Sequence, residues 1–200
     1  MDRAANIVID GIDFSKLNDR ADFGKGFYIT DSYALAKYTA ITRYNQEIMQ
    51  NKHAYPPVVL KVKMSCNDLS KYNIKEFYGE DILWKRFVCC NRWYQDIIKN
   101  SPDVDNNIDS RYDIVIGLTA DGKMSNLNRL IKKDGYTLSE EFVSQIKPFK
   151  TSYAKMINNT LKVFDTKAYQ ISIHNKELIK HCIKFKDYDI IIRKEDGDYE

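Results

Sequence analysis

Apolar residues recur over 32–51 at Ala34, Leu35, Tyr38, Ile41, Ile48 and Met49. This spacing near three and four predicts a helix capped by Asp31 or Ser32. Ahead of it, "FYIT" (27–30) predicts a short strand, and "NIVIDGIDF" (6–14) a strand and turn. "PPVVLKVKM" alternates from Val58 to Met64, the pattern of a strand with one wet face. Helical periodicity returns over 81–99, and the Asp- and Asn-rich stretch 101–110 predicts a polar loop. "YDIVIGLTA" (112–120) is a nearly continuous apolar run ended by Gly117, which marks a central strand. Two helices are predicted next, near 123–133 and over 138–158, the second interrupted by Pro148. In "AYQISIHN" (168–175), Tyr169, Ile171 and Ile173 share one strand face, and Gln170, Ser172 and His174 the other. "KELIKHCIKF" reads as a short helix, and "DYDIIIRKE" as a last edge strand before an acidic tail. Strands and helices mixed without regular βαβ alternation predict an α+β fold.

Composition adds bounds. Two hundred residues with 44% hydrophobic content suffice for a single domain over 1–200. Against 31 Lys and Arg stand 28 Asp and Glu, and a net charge of +3 neither requires nor excludes a polyanionic partner. The lysines at 132–133 and 147–155 read as a solvated face. No apolar run reaches the roughly 18 to 20 residues of a membrane span, and Met1-Asp2-Arg3 does not open a signal peptide. A cytoplasmic protein without a membrane partner is expected. Cys66, Cys89, Cys90 and Cys182 form neither a CxxC pair nor a zinc spacing, so reduced thiols are expected. Cys89 and Cys90 would face opposite sides if they lay on a strand. His53, His174 and His181 are scattered, and no metal site is expected.

The stretch "DFGKGFYITDSYALAKYTA" (22–40) places Gly24 and Gly26 around Lys25. It lacks the third glycine of a dinucleotide fingerprint and precedes a strand rather than a helix. Taken alone it reads as a tight turn entering a strand. Its order of glycine turn, aromatic strand and helix resembles the nicotinamide-binding core of the ADP-ribosyltransferase fold. More closely, the chain is similar to a bacterial family of largely uncharacterised, toxin-like ADP-ribosyltransferase-like proteins that carry "DFGKGFY" followed by Thr. "LWKRFVCCNRW" (83–93), "YDIVIGLTADGKM" (112–124) and "YQISIHNKELIKHCIKF" (169–185) continue the resemblance in order.

That resemblance implies a split β-sandwich with flanking helices and NAD as substrate. It also implies chemistry that stabilises an oxocarbenium-like ribose as nicotinamide departs. On it, Tyr28 stacks against nicotinamide; the residue-level alternative is an ordinary core aromatic. Tyr38 supplies a second aromatic, and Gly24 and Gly26 allow close backbone approach beside Phe27. Lys25 reaches a phosphate or faces water, Thr30 contacts the ribose or ends a strand, and Arg92 binds a diphosphate or a target acid. Gln170 stands where many relatives of the fold carry the catalytic Glu; its amide orients a ribose without bringing negative charge. Arg3 takes the place of the His in a first motif "YHG" that ends a strand. His174 is expected to be a satisfied surface residue, and Asp113 to be structural. The implied activity is ADP-ribosyl transfer by a bacterial toxin or defence effector to a protein or nucleic acid, restrained by a cognate neutralising protein. A catalytically weak NAD or ADP-ribose binding module and an NAD glycohydrolase stand as alternatives.

Overall fold

The apolar run Ile114–Leu118 became an inner strand because both of its faces are covered, leaving Ile114, Val115 and Leu118 almost wholly buried. The computed structural model describes residues 3–50, 52–97, 103–121, 124–157, 160–192 and 199, with side chains described except at 3, 94–96, 124–126, 152–157 and 160–165. Its elements in chain order begin with α1 (Arg3–Asp10), β1 (Phe27–Thr30), α2 (Tyr33–Met49), β2 (Val58–Met64) and β3 (Ile74–Glu76). They continue with α3 (Ile82–Ile97), β4 (Ile114–Leu118), α4 (Met124–Lys133), α5 (Glu140–Ser144) and β5 (Lys150–Ile157). The last are β6 (Thr160–Lys167), β7 (Tyr169–Ile173), α6 (Lys176–Cys182) and β8 (Ile183–Ile190). The fold is mixed α+β. The chain divides into two compact units, one formed by 1–13, 32–69 and 176–200, the other by 14–31 and 70–175.

The second unit is built on a four-stranded sheet of order β1-β7-β4-β3. Strands β1 and β4 both run antiparallel to β7, and β3 runs parallel to β4. Trp84, Phe87, Val88 and Ile97 of α3, Ile131 of α4, and Phe142 and Val143 of α5 close one core with Phe23, Phe77, Val115 and Leu118. The indole of Trp84 donates to the Leu118 carbonyl at 3.0 Å, so its polar edge is satisfied inside that core. Cys89 and Cys90 lie on α3 rather than on a strand, and both thiols are buried. Burial pushes Cys90 up to about 12 and Cys89 further, which leaves both unreactive.

The predicted helix over 138–158 is corrected. Helix α5, capped by Ser139, ends at Ser144, and beyond Pro148 the chain forms the hairpin β5–β6, with Ile157 opposite Thr160. Thr151, Tyr153, Ile157, Thr160, Val163, Phe164 and Thr166 are β-branched or aromatic, and their preference for a pleated surface outweighs the weak helical spacing.

In the first unit, β2 pairs antiparallel with β8 across a bulge at Lys61/Val62, and Ser32 caps α2 by accepting from Leu35 N at 3.2 Å. The strand expected at 6–14 is corrected to helix α1 followed by a 3-10 turn at Phe14–Lys16. Ala4 and Ala5 favour the helix, and Gly11 N closes on Ile7 O at 3.2 Å to end it. The last strand begins at Ile183, four residues earlier than the edge strand read from "DYDIIIRKE". The expectation of four reduced thiols is also corrected: Cys66 and Cys182 are joined by a disulfide, their Cα atoms 4.9 Å apart. The Ser65 N to Cys182 O hydrogen bond of 2.8 Å brings the two segments together, a proximity that cysteine spacing does not reveal. No helix among the described residues is long and apolar enough to cross a membrane.

Candidate functional site

The motif at 22–28 folds back on strand β7, and the residue that holds it there is Asp22. Its carboxylate is buried, accepts three hydrogen bonds and makes one further ion-pair contact. Arg92 of α3 donates Nε to Oδ1 at 2.6 Å and pairs through Nη2 with the same oxygen. Gln170 of β7 donates Nε2 to Oδ2 at 2.7 Å, and the Ala120 amide just beyond β4 donates to Oδ2 at 2.9 Å. One carboxylate therefore joins a loop, a helix, strand β7 and the segment just beyond β4. Full pairing is what makes a buried charge tolerable.

Gln170 is fixed in orientation by the same contact. A carboxylate accepts only, so the amide must present its nitrogen to Asp22 and keep Oε1 as the remaining acceptor. Oε1 has no hydrogen-bond partner among the described residues.

Tyr28 of β1 closes the turn from the other side. Its hydroxyl donates to the Gly24 carbonyl at 2.8 Å and accepts from Phe23 N at 2.8 Å, and its ring stacks on Phe23 with centroids 6.4 Å apart. Burial drives the phenol well above its ordinary range, so it is neutral. The ring is half-buried and packs against the core of the second unit.

The two glycines are required by neighbouring protein atoms. Gly24 has φ +88°, and a Cβ there would stand 2.9 Å from the Asn107 carbonyl oxygen and 3.1 Å from Asn91 Oδ1. Those partners are themselves locked, since Asn91 accepts from Asn107 N at 2.9 Å and donates to the Phe87 carbonyl at 2.8 Å. At Gly26 a Cβ would meet Ser172 Oγ at 2.4 Å and His174 Cε1 at 2.7 Å. Positive φ and close approach to α3 and the loop at Asn107 account for Gly24, and close approach to β7 and the His174 that follows it accounts for Gly26.

Ser172 and His174 continue the network along β7. The imidazole Nδ1 lies 2.9 Å from the Lys25 carbonyl, which only accepts, so Nδ1 carries the proton and Nε2 accepts from Ser172 Oγ at 2.9 Å. Burial lowers the His174 pKa and keeps the ring neutral. His174 is satisfied, as expected, but buried rather than on the surface. Asp113 is structural: it accepts from Asn73 N at 2.9 Å and from the Asn175 side chain at 2.7 Å.

Gly24, Lys25, Gly26, Phe27, Tyr28, Thr30, Arg92 and Gln170 all belong to the second unit. Lys25 is an exposed side chain 3.0 Å from Asp19, and Thr30 donates to the Tyr169 carbonyl at 2.5 Å. Arg3 and Tyr38 belong to the first unit, on α1 and α2. The strand expected to carry Arg3 is replaced by a helix, and the Arg3 side chain lies outside the described residues. The Asp121-Gly122 pair predicts a turn, and Gly122 also lies outside them. Sequence reasoning passed over Asp22, Asn107 and Ser172. Asp22 opens the quoted motif, so the signal was present; its partners are 70, 98 and 148 residues away, and that separation hid its role. Among the described residues no group of acidic, His and Cys side chains is arranged to hold a metal.

The family described as "Protein of unknown function (DUF3990)" matches residues 3–185, most of the chain, and the protein belongs to that family. No curated protein and no solved structure matches it.

Proposed function

We propose that this protein is an NAD-dependent ADP-ribosyltransferase of split β-sandwich type, a toxin or defence effector. Its target is a protein or a nucleic acid, and a cognate neutralising protein restrains it in the cytoplasm. The observation that carries the reading is the Asp22 network. Arg92 and Gln170, brought forward by the family resemblance from two distant blocks, are both hydrogen-bonded to Asp22, the first residue of the 22–28 motif. The network also bears on the lack of charge at Gln170. With Nε2 held by Asp22, the amide offers an oxygen acceptor to a ribose hydroxyl, the part of a glutamate's work that positions the sugar. The carboxylate behind it polarises that amide in a dry setting.

The binding-module alternative rests on the same geometry, because the Asp22 charge is spent on Arg92 and stands one residue removed from an anomeric carbon held by Gln170. Incubation of the full chain with labelled NAD, with and without cell extract, separates the readings. Nicotinamide release with label on a macromolecule supports transfer, release without it supports glycohydrolysis, and binding without release supports the module. For the transferase, Gln170→Ala is expected to lower turnover by about a hundredfold while NAD affinity changes much less. Equal loss of both would remove Gln170 from the chemical step. In a cytoplasm the Cys66–Cys182 bond has to persist against the reducing thiol pool. Thiol trapping at the moment of cell lysis tests that part of the reading.

A further inference from the structure

Helix α3 loses helical geometry at Trp93, where φ is −125° and ψ is 25°. Beside this break is a cavity of about 140 Å³ lined by Arg20, Arg92, Trp93 and Asn128. Its walls come from the loop before the glycine turn, from α3 and from α4, all within the second unit. Among the described residues no acidic side chain lines it.

The hydrogen-bond inventory of the lining is one-sided. The indole of Trp93 donates to Asn128 Oδ1 at 2.5 Å, and since an indole has no acceptor, the Asn128 amide is oriented with Nδ2 left to donate. Arg92 donates Nε to Asp22 and pairs with it through Nη2, which fixes the guanidinium and leaves Nη1 unengaged by that pair. Arg20 is exposed, and among the described residues its guanidinium makes no ion pair. The polar side-chain groups left to the cavity are therefore donors, and two belong to cations. Asp22 balances one of those cations, so among the described residues a net positive charge remains. The space exceeds the roughly 10–15 Å³ that one water centre needs.

We propose that this cavity is an oxyanion site that takes a phosphoryl group, with Arg20, Arg92 and Asn128 as donors and Trp93 as its wall. Guanidinium forks match phosphoryl oxygens in geometry and charge, and one of the two forks is already held in place by a buried carboxylate. The inference rests on the transferase reading at Arg92, which that reading gives to a diphosphate, and goes beyond it at Arg20 and Asn128, because a phosphoryl group carried by any ligand meets the same donors.

The test is calorimetric titration of the full chain with inorganic pyrophosphate, beside acetate as a carboxylate probe. Saturable pyrophosphate binding is expected, weakened about tenfold by Arg20→Ala and by Asn128→Ala and abolished by Arg20→Glu. Arg20 is exposed, so its variants are expected to unfold at the wild-type urea midpoint, which separates loss of binding from loss of fold. Absence of saturable pyrophosphate binding, equal affinity in the wild type and Arg20→Glu, or acetate binding as tight as pyrophosphate would each overturn the proposal. NAD titration of Arg20→Glu identifies the carrier. A parallel loss of NAD affinity assigns the site to the dinucleotide's diphosphate, and unchanged NAD affinity assigns it to a separate phosphorylated ligand; in both cases the pyrophosphate result decides whether the site exists.

Discussion

Gln170 shows how a single amide differs from the acid it replaces. Gln170→Glu would restore the charge that many relatives of the fold are expected to carry, and its cost to the fold is set by Asp22. Nε2 of Gln170 lies 2.7 Å from Asp22 Oδ2, so a glutamate would lose the donor and set two carboxylates against each other in a buried position. One of them must then hold a proton. We expect Gln170→Glu to lose about 2 kcal/mol or more of stability near neutral pH and to recover part of it below about pH 5, when a shared proton is available. Urea unfolding at both pH values checks this, and equal losses at both would show that like-charge repulsion is not the cause. His174 provides a second pH effect. Burial lowers its pKa in the folded chain below the ordinary 6.5. The unfolded chain therefore takes up a proton that the folded chain resists. The histidine's contribution is complete above about pH 6.5 and is lost as pH falls below it toward the lowered folded value. Replacing it with Gln should flatten the urea midpoint between about pH 5 and 6.5 relative to wild type; parallel profiles would exclude the effect.

At the scale of elements, the caps are the most local determinants. Ser32 accepts from Leu35 N, so Ser32→Ala should cost about 1 kcal/mol in urea unfolding. A change near zero would mean that water replaces the hydroxyl without penalty. Cap and period together made α2 legible from sequence, and the continuous apolar run at 112–120 did the same for β4. The failures have a common origin. In 6–14 the β-branched Ile7, Val8 and Ile9 suggested a strand, yet Val8 and Ile9 are largely exposed, so no sheet burial was available to favour one. Over 138–158 the apolar spacing fitted a helix loosely, while the β-branched and aromatic content fitted a hairpin well. In the candidate site, Tyr28, Arg92 and Gln170 were legible as members. Asp22, which joins two of them, was not, because hydrogen bonds between segments 70 and 148 residues apart leave no local pattern.

For the whole molecule, the cysteines give a direct check. Denatured without reductant, the chain should titrate two thiols, Cys89 and Cys90, and after reduction four. Four without reductant would show that the Cys66–Cys182 bond does not form. The interleaving of segments has a consequence for how the protein is made. Strand β2 ends at Met64 and its partner β8 begins at Ile183, while β1 and β4 both await β7 at Tyr169–Ile173. Translation adds roughly 5 to 20 residues per second, so β2 leaves the ribosome some 6 to 24 s before the strand that covers its edge. Throughout that interval both sheets present unpaired strand edges to any nascent chain or chaperone nearby. An interrupted message cannot leave a finished half behind: a product that stops before β7 lacks the central pairing of one unit and the whole partner strand of the other.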